Sequence, residues 1–438
     1  MIERIQIKEL SSRIGQEVAV AGWAHGIRKQ GSLVFILVRD ITGIVQTVVT
    51  KEAPEALEIA KELQLESVIW IKALIKEEKQ APAGYELLAR EIKVLGAAHP
   101  ELPIQVVEKS ASEADQQVRM DWRFIDLRKP EKTLIFKVWS TMEQAFVNYC
   151  TEKGYINLHS PKLMSSASES GSEVFEVKYF DRKVYLAQSP QFFKQMAMMS
   201  GFEGVFEIGP VFRAEPSFTT RHATEFTGYD LEISYVDSHN DVMTVQEEFI
   251  VAIMKNIKEK HGAEIKEQFG LDITIPALPF PRITMKDAKE ILKERGVESE
   301  KLGDFSPEEE RQMGEYVKEK YGHEFVYVTE YPITVRPFYH MRLENDQTLT
   351  KSFDLLFKGV EITTGAQREH RYDILRKQAV EKGMDVPSLE YYLDFFKYGA
   401  PPHGGLGMGP GRMVMKLLGL ESIRDASYLY RGVKRISP

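Results

Sequence analysis

The residues from Phe212 to Glu232 carry charge in a pattern that suits phosphate chemistry. The run reads Phe-Arg-Ala-Glu, then Pro216-Ser217-Phe218-Thr219-Thr220, then Arg-His-Ala-Thr-Glu-Phe and Thr-Gly-Tyr-Asp-Leu-Glu. Arg213 and Arg221 alternate with acids around a turn-like insert, and apolar runs at 205–208 and 231–233 read as flanking strands. The predicted unit is a hairpin whose inner face carries cations and carboxylates. Unpaired buried charge is costly, so such a face needs a polyanionic ligand. Arginine forks match phosphate oxygens and the developing charge of a transferring phosphoryl group. A salt-bridged surface hairpin gives the same local pattern when it stands alone, so the reading depends on the hairpin's company.

That company lies further along the chain. Asp354 in Phe353-Asp354-Leu355 and Glu361 in Gly359-Val360-Glu361-Ile362-Thr363-Thr364-Gly365 fall on neighbouring predicted strands. Oxygen ligands without sulfur or imidazole suit Mg²⁺ bridging phosphates, and paired structural acids are the alternative. Arg368 follows directly as a candidate carboxylate clamp. Near the C-terminal end, residues 401–412 read Pro-Pro-His-Gly-Gly-Leu-Gly-Met-Gly-Pro-Gly-Arg ahead of an apolar helix predicted over 413–418. The glycines allow close backbone approach to a ligand, and the helix start places Arg412 beside it. The spacing is neither a P-loop nor a dinucleotide fingerprint.

The elements that must position these groups fall into two kinds. Up to about residue 100 the chain reads as short strands at 17–23, 33–39, 43–49, 68–75 and 86–94, with one helix over 52–63 between the third and fourth. That layout predicts an OB-type barrel over 1–104, a class that often binds single-stranded nucleic acid on one face. Residues 105–130 read as a linker. From 131 to 438 long helices and hairpins with few βαβ units predict an antiparallel α+β sheet. Helices are expected at 136–152, 242–261 and 371–382, and strands at 324–329, 334–341, 352–357 and 360–364.

Bulk properties narrow the class. The chain has 438 residues, 43% hydrophobic and 28% charged, enough for two or three domains. A single cysteine, Cys150, excludes an internal disulfide or a multi-cysteine zinc site. The opening residues lack a signal-peptide core and no stretch approaches membrane-span length, so a cytoplasmic protein is expected. The net charge of −8 argues against a general nucleic-acid coat protein, while leaving room for a local basic face.

Taken together, Phe-Arg-Ala-Glu…Arg-His-x-x-Glu-Phe, Gly-Val-Glu-Ile…Gly-x-Gln-Arg-Glu-His and Gly-Gly-x-Gly-x-Gly-x-x-Arg resemble the motifs of class II aminoacyl-tRNA synthetases. The match covers nearly the whole chain and is similar to the archaeal/eukaryotic-like aspartyl/asparaginyl subgroup, which carries an N-terminal OB anticodon domain. The resemblance implies ATP bent over the hairpin, a homodimer built around the element ending at Pro161, and Mg²⁺. It implies that Arg213 holds the α-phosphate and the amino-acid carboxylate. Glu215, Arg221, His222, Phe226, Glu361, Gly409 and Arg412 would complete the ATP site, and Asp354, Glu361 and Thr364 would position Mg²⁺. Thr364 stands where serine is usual in the family. Arg213, Glu361 and Arg412 are the implied catalytic groups; the chemistry asks for positioning and charge stabilisation, with no protein nucleophile.

The segment Gln188-Ser189-Pro190-Gln191-Phe192-Phe193-Lys194-Gln195 bears on the amino acid. Gln191 and Lys194 are expected on one helix face, and Lys194 with Arg368 would set two cations around a side-chain carboxylate. An amide would leave them unpaired, and the asparaginyl branch lacks this lysine, so the expected substrate is L-aspartate. Asp230 and Glu169 would hold the ammonium group and a nearby loop, with Thr364 also at the substrate. The resemblance also gives Phe35, Gln46 and Glu86 anticodon contacts. His25 and Pro82 occupy positions where enzymes restricted to tRNA(Asp) carry Trp and Lys. Losing a bulky ring and a long cation removes preference for one base, so charging of both tRNA(Asp) and tRNA(Asn) is expected. The alternatives are a discriminating aspartyl enzyme, a tRNA-independent amide ligase and a non-catalytic nucleic-acid-binding paralogue. The barrel with Phe35 and Gln46 stands against the ligase, and Arg213, Glu361 and Arg412 together stand against the paralogue.

Overall fold

The computed structural model describes residues 3–107, 113–165, 173–299 and 301–437. It divides into two compact units, Met1–Thr133 and Leu134–Pro438. In the first, strands β1 (Glu17–Gln30), β2 (Leu33–Asp40), β3 (Gly43–Val49), β4 (Val68–Glu77) and β5 (Tyr85–Gly96) close a barrel in the order β1-β2-β3-β5-β4. Helix α1 (Pro54–Glu62) lies between β3 and β4 in sequence, which is the OB arrangement. Alternation drives closure: Val34, Ile36 and Val38 of β2 point into the core with Val18, Val20, Ile69 and Ile71. Strand β1 runs seven residues past its expected end and is bent by a bulge between Ala24 and Gly26. The segment read as a linker carries two short helices, α2 (Gln116–Asp121) and α3 (Arg123–Asp126), and a small core of Ile104, Val106 and Ile125.

The second unit is built on an eight-stranded sheet. Helix α4 (Pro130–Glu152) leads into β6 (Ile156–Asn157). A small sheet of β7 (Leu163–Met164), β8 (Glu176–Tyr179) and β9 (Arg182–Leu186) follows, and then helix α5 (Gln191–Met199). Strands β10 (Gly204–Phe212) and β11 (Glu225–Ser234) form the charged hairpin. After helix α6 (His239–Phe269) come β12 (Arg282–Thr284), helices α7 (Met285–Glu294) and α8 (Pro307–Tyr321), β13 (Phe325–Thr329), β14 (Ser352–Phe357) and β15 (Val360–Gln367). Helices α9 (Tyr372–Glu381) and α10 (Val386–Leu393), strand β16 (His403–Met408) and helix α11 (Pro410–Leu417) complete the chain. The sheet order is β12-β13-β14-β15-β16-β11-β10-β6, antiparallel throughout except for the parallel pairs at its two edges.

Alternation places opposite faces of the sheet in different cores. Phe353, Leu355 and Phe357 of β14 pack with Phe146 of α4 and with Phe249 and Ile253 of α6. Leu356 of β14, with Val326 and Val328 of β13, packs on Met313 and Val317 of α8. Residues 334–341, expected as a strand, form none: Ile333–Val335 is a short 3₁₀ turn between Pro332 and Pro337. Each proline removes a ladder donor. No described helix is long and apolar enough to cross a membrane.

Candidate active site

The hairpin, β15, β16 and the start of α11 enclose a cavity of about 1140 Å³, walled by Gln191, Arg213, Glu215, Arg221, His222, Phe226, Asp230, Glu361, Thr364, Arg368, Gly409 and Arg412 among others. On β11 the period-2 pattern sends Phe226, Gly228, Asp230 and Glu232 to one face and Tyr229 and Leu231 into the core, where Tyr229 stacks on Phe146 at 5.0 Å. The glycine-rich stretch expected to let backbone approach a ligand forms, over His403–Met408, strand β16, paired between β11 and β15. Its glycines make room for neighbouring acids. A Cβ on Gly405 would sit 2.1 Å from Glu232 Oε2, and one on Gly407 would sit 3.2 Å from Asp230 Oδ1.

Four charged groups form the floor. Lys194 Nζ donates to Asp230 Oδ1 at 2.9 Å and to the Leu406 carbonyl at 2.8 Å, with Glu232 Oε2 at 3.4 Å. Arg368 grips the same Glu232 through Nε (2.9 Å) and Nη2 (3.3 Å), and its Nη1 lies 3.1 Å from His340 Nε2. This revises the expectation of two free cations: both are already paired inside the protein. Lys194 is buried below the cavity with its three protons committed, whereas Arg368 lines the wall. An arginine has five N–H donors, and the three contacts above leave two for a ligand. Burial pushes the Glu232 carboxyl up, but Arg368 and Lys194 prevail and hold it below the usual range. The role of Glu232 was missed from sequence, although its i, i+2 spacing from Asp230 signals a shared face.

Beneath this floor Gln195 ties α5 to the rest. Its Oε1 accepts from Gln191 Nε2 and from the Tyr392 hydroxyl, both at 3.0 Å, and its amide lies 3.0 Å from His403 Nε2. Burial pushes the His403 pKa down to about 4, so the ring is neutral and accepts that amide proton.

A second group of cations, Arg213, Arg221 and Arg412, lines the cavity. Arg213 sits 5.6 Å over the Phe226 ring, and its buried Nε has no hydrogen-bond partner. Such an orphaned donor points to an anion. Arg412 donates from Nη1 to the Glu361 carbonyl at 3.0 Å and from Nε to the Arg221 carbonyl at 3.3 Å, pinning hairpin and β15 together. His222 Nε2 lies 4.0 Å from Glu215 Oε2. Burial, with Arg412 second, lowers the His222 pKa.

Glu361 and Thr364 are three apart and would face opposite ways on a regular strand. A bulge changes this: Leu355 pairs with Thr363 while Leu356 pairs with Glu361, leaving Ile362 as the extra residue. Thr364 Oγ1 thus donates to Glu361 Oε1 at 3.2 Å. Asp354, opposite Thr364, accepts from Arg336 Nη2 at 2.6 Å through Oδ2, while its buried Oδ1 is unpartnered. Burial raises the Asp354 pKa; burial also acts on Glu361, but Arg412, Arg336 and Arg213 hold that carboxyl low. An orphaned carboxylate oxygen, a second carboxylate and a hydroxyl are a donor set that fits Mg²⁺. Asp354 lies behind the cavity wall, and Arg336, unassigned from sequence, lines it.

In the barrel, Gln46 Nε2 donates to Glu86 Oε2 at 2.9 Å, and Arg28 lies 4.8 Å over the Phe35 ring on the outer face of β2. His25 stands within β1 with its side chain only 12% exposed, its Nδ1 2.6 Å from Arg39 Nη1. It belongs to a group around the buried Glu66, which Arg39 and Arg128 grip. Although burial pushes it up, the hydrogen bond from His25 and then the guanidinium groups of Arg39 and Arg128 hold the Glu66 carboxyl down to about 2. Pro82 is exposed in the turn between β4 and β5. Glu169 lies outside the described residues.

A nucleotide-sized cationic cavity on a largely antiparallel sheet, in a chain that also carries an OB barrel, defines the class of a class II aminoacyl-tRNA synthetase. Comparison with known families agrees. Residues 115–431 match the class II tRNA synthetases (D, K and N), and residues 18–95 match the OB-fold nucleic acid binding domain. The Aspartate--tRNA(Asp/Asn) ligase of Aeropyrum pernix is 44% identical, covering 99% of this chain and 98% of its own. The Aspartate--tRNA(Asp) ligase of Thermoplasma volcanium is 40% identical over 96% of each. The asparaginyl-tRNA synthetase of Pyrococcus horikoshii, solved with asparaginyl-adenylate, superposes with a TM-score of 0.93 at 34% identity over the full length of both. The chain belongs to the archaeal-type aspartyl-tRNA synthetases of class II.

Proposed function

We propose that this aspartate–tRNA ligase activates L-aspartate with ATP and charges both tRNA(Asp) and tRNA(Asn). The observation that carries the first half is the floor of the cavity. Arg368 there keeps two free N–H groups for a side-chain carboxylate, and Glu232 and Lys194 fix its position. Asp230 lines the cavity as an acceptor for the substrate ammonium. Gln191 and Thr364 also line it, as does Arg213, whose buried Nε has no partner and whose guanidinium would take the α-carboxylate and α-phosphate. The carboxylate oxygen attacks the α-phosphorus, the bond to the bridging oxygen breaks, and pyrophosphate leaves. The terminal ribose hydroxyl of tRNA then attacks the carbonyl of aspartyl-adenylate and AMP departs with the phosphate oxygen. Arg213 and Arg412 hold phosphate charge through both steps. Arg221, His222 and Glu215 hold the nucleotide, Phe226 offers a face to adenine, and Gly409 opens the turn that delivers Arg412. Asp354, Glu361 and Thr364 would hold Mg²⁺, which supplies charge neutralisation on the phosphates. The chain is assigned to work as a homodimer in the cytoplasm.

The second half rests on His25 and Pro82. A ring committed to Arg39 and Glu66, and a proline in place of a long cation at position 82, leave neither position reserved for one third anticodon base. Phe35, Gln46 and Glu86 on the barrel are assigned to the other anticodon bases. The relative from A. pernix is named for both tRNAs. The test is substitution: His25→Trp with Pro82→Lys should lower tRNA(Asn) charging at least tenfold while tRNA(Asp) charging stays within threefold. Equal effects on both tRNAs would refute the assignment.

A further inference from the structure

The charged helical segment between the two halves of the sheet has no part in the chemistry described so far, yet one of its side chains reaches the site. Glu310 on α8 is 6% exposed. Its Oε2 accepts from Arg221 Nη1 at 2.8 Å and from the Glu361 backbone N–H at 2.9 Å. One carboxylate oxygen therefore joins a nucleotide-facing guanidinium of the hairpin loop to the strand that carries Glu361 and Thr364.

The placement is imposed by backbone contact. A Cβ on Gly314 of α8 would lie 2.5 Å from the Gly359 nitrogen, and one on Gly359 would lie 2.9 Å from the Arg311 Cα. Gly359 also holds φ +71 in the β14–β15 turn, where a side chain is strained. Helix and turn therefore meet with no side chain between them, which brings position 310 against Glu361. Met313 and Val317 on α8 pack on Val326, Val328 and Leu356 and secure the helix. The preceding residue, Glu309, is spent on the helix cap and Lys289. Glu310 is thus the acid of that pair that faces the site.

We infer that Glu310 is a positioning residue for ATP: it holds Arg221 extended from the loop with its remaining N–H groups free to meet the triphosphate. The inference rests on the reading of Arg221 as a nucleotide ligand. A guanidinium on a loop loses rotamer freedom when it binds phosphate, and a resident carboxylate removes much of that cost beforehand. Glu310 uses one of the five donors and leaves the rest.

The test measures aspartate-dependent pyrophosphate exchange for wild type, Glu310→Gln, Arg221→Ala and the double variant. Gln keeps an acceptor for the Glu361 N–H and removes the charge that orders Arg221. The expected result is a KM for ATP raised about tenfold in E310Q, with kcat and the KM for aspartate within threefold. In the R221A background E310Q should add less than twofold. A KM for ATP in E310Q equal to or below wild type overturns the inference, as does a parallel loss in every kinetic constant or an undiminished effect without Arg221. If R221A itself leaves the KM for ATP unchanged, the reading of Arg221 fails, and the role assigned to Glu310 fails with it. Glu310→Asp serves where E310Q does not fold: the shortened acid should raise the KM for ATP by a smaller factor in the same direction, and an unchanged value would refute the role.

Discussion

Glu232→Gln removes the charge that holds the cavity floor together while preserving volume. Glu232 has no solvent exposure and grips Arg368 at 2.9 and 3.3 Å with Lys194 at 3.4 Å. Without its charge, Arg368 loses its carboxylate partner and Lys194 keeps Asp230 alone. Breaking a buried pair from one side costs about 3–5 kcal/mol. An amide that still accepts one hydrogen bond places the expected loss near the lower end, about 3 kcal/mol. At about 2 °C per kcal/mol for a large domain, the unfolding midpoint should fall by about 6 °C. The pH sign follows from the depressed Glu232 carboxyl. Its stabilisation is complete above the unfolded value of about 4.3 and is lost as pH falls through the lower folded value. The gap between wild type and E232Q, followed by thermal unfolding from pH 7 to pH 4 and below, should therefore be constant near neutrality and close only in strong acid. A partner variant, Glu232→Gln with Arg368→Met, should recover part of the loss, because one unpaired cation is gone. A loss under 1 kcal/mol at pH 7, or a double variant worse than the sum of the singles, would refute the reasoning.

Gly405→Ala should damage the same floor without touching a charge. The new methyl would lie 2.1 Å from Glu232 Oε2 and 2.2 Å from the Leu231 carbonyl, so the KM for aspartate should rise at least tenfold while a Gly262→Ala control, whose methyl meets only Lys258 Cγ at an ordinary 3.7 Å, leaves it unchanged. His403, held neutral with a pKa near 4, resists protonation that the unfolded chain accepts near 6.5. Stability should therefore fall as pH drops from about 6.5 to 4, by about 3 kcal/mol for this residue. Denaturant unfolding across that range should show a shallower acid slope in His403→Gln, and an unchanged slope would rule His403 out.

The barrel strands were legible because burial alternates cleanly on them, as at Val34, Ile36 and Val38. The hairpin was legible for the same reason, with Asp230 set opposite the core-facing Tyr229 and Leu231. Three features escaped. The glycines of 404–409 suggest a ligand loop, whereas Gly405 and Gly407 stand opposite Glu232 and Asp230 in register and give those side chains room. Local spacing cannot distinguish the two uses, because what the glycine admits lies about 170 residues away. Glu361 and Thr364 share a face only through the bulge at Ile362, which breaks the period-2 rule that a sequence reading applies. Glu310 and Arg336 come from segments whose charge pattern resembles any solvated surface, and only their packing against β14 and β15 reveals them. Lys194 was expected beside a substrate carboxylate, and in the structure it is buried below the cavity and paired with protein acids. Its counterions come from β11, beyond any helix-local pattern.

The most direct measurement is aspartate charging of unmodified tRNA(Asp) and tRNA(Asn) in parallel by the purified enzyme, with ATP and Mg²⁺ and with asparagine as the control amino acid. Aspartate is expected on both tRNAs at rates within about tenfold of each other, with no charging by asparagine. Charging of tRNA(Asp) alone would contradict the relaxed specificity assigned to His25 and Pro82. Charging with asparagine would contradict the floor built by Arg368, Glu232 and Lys194.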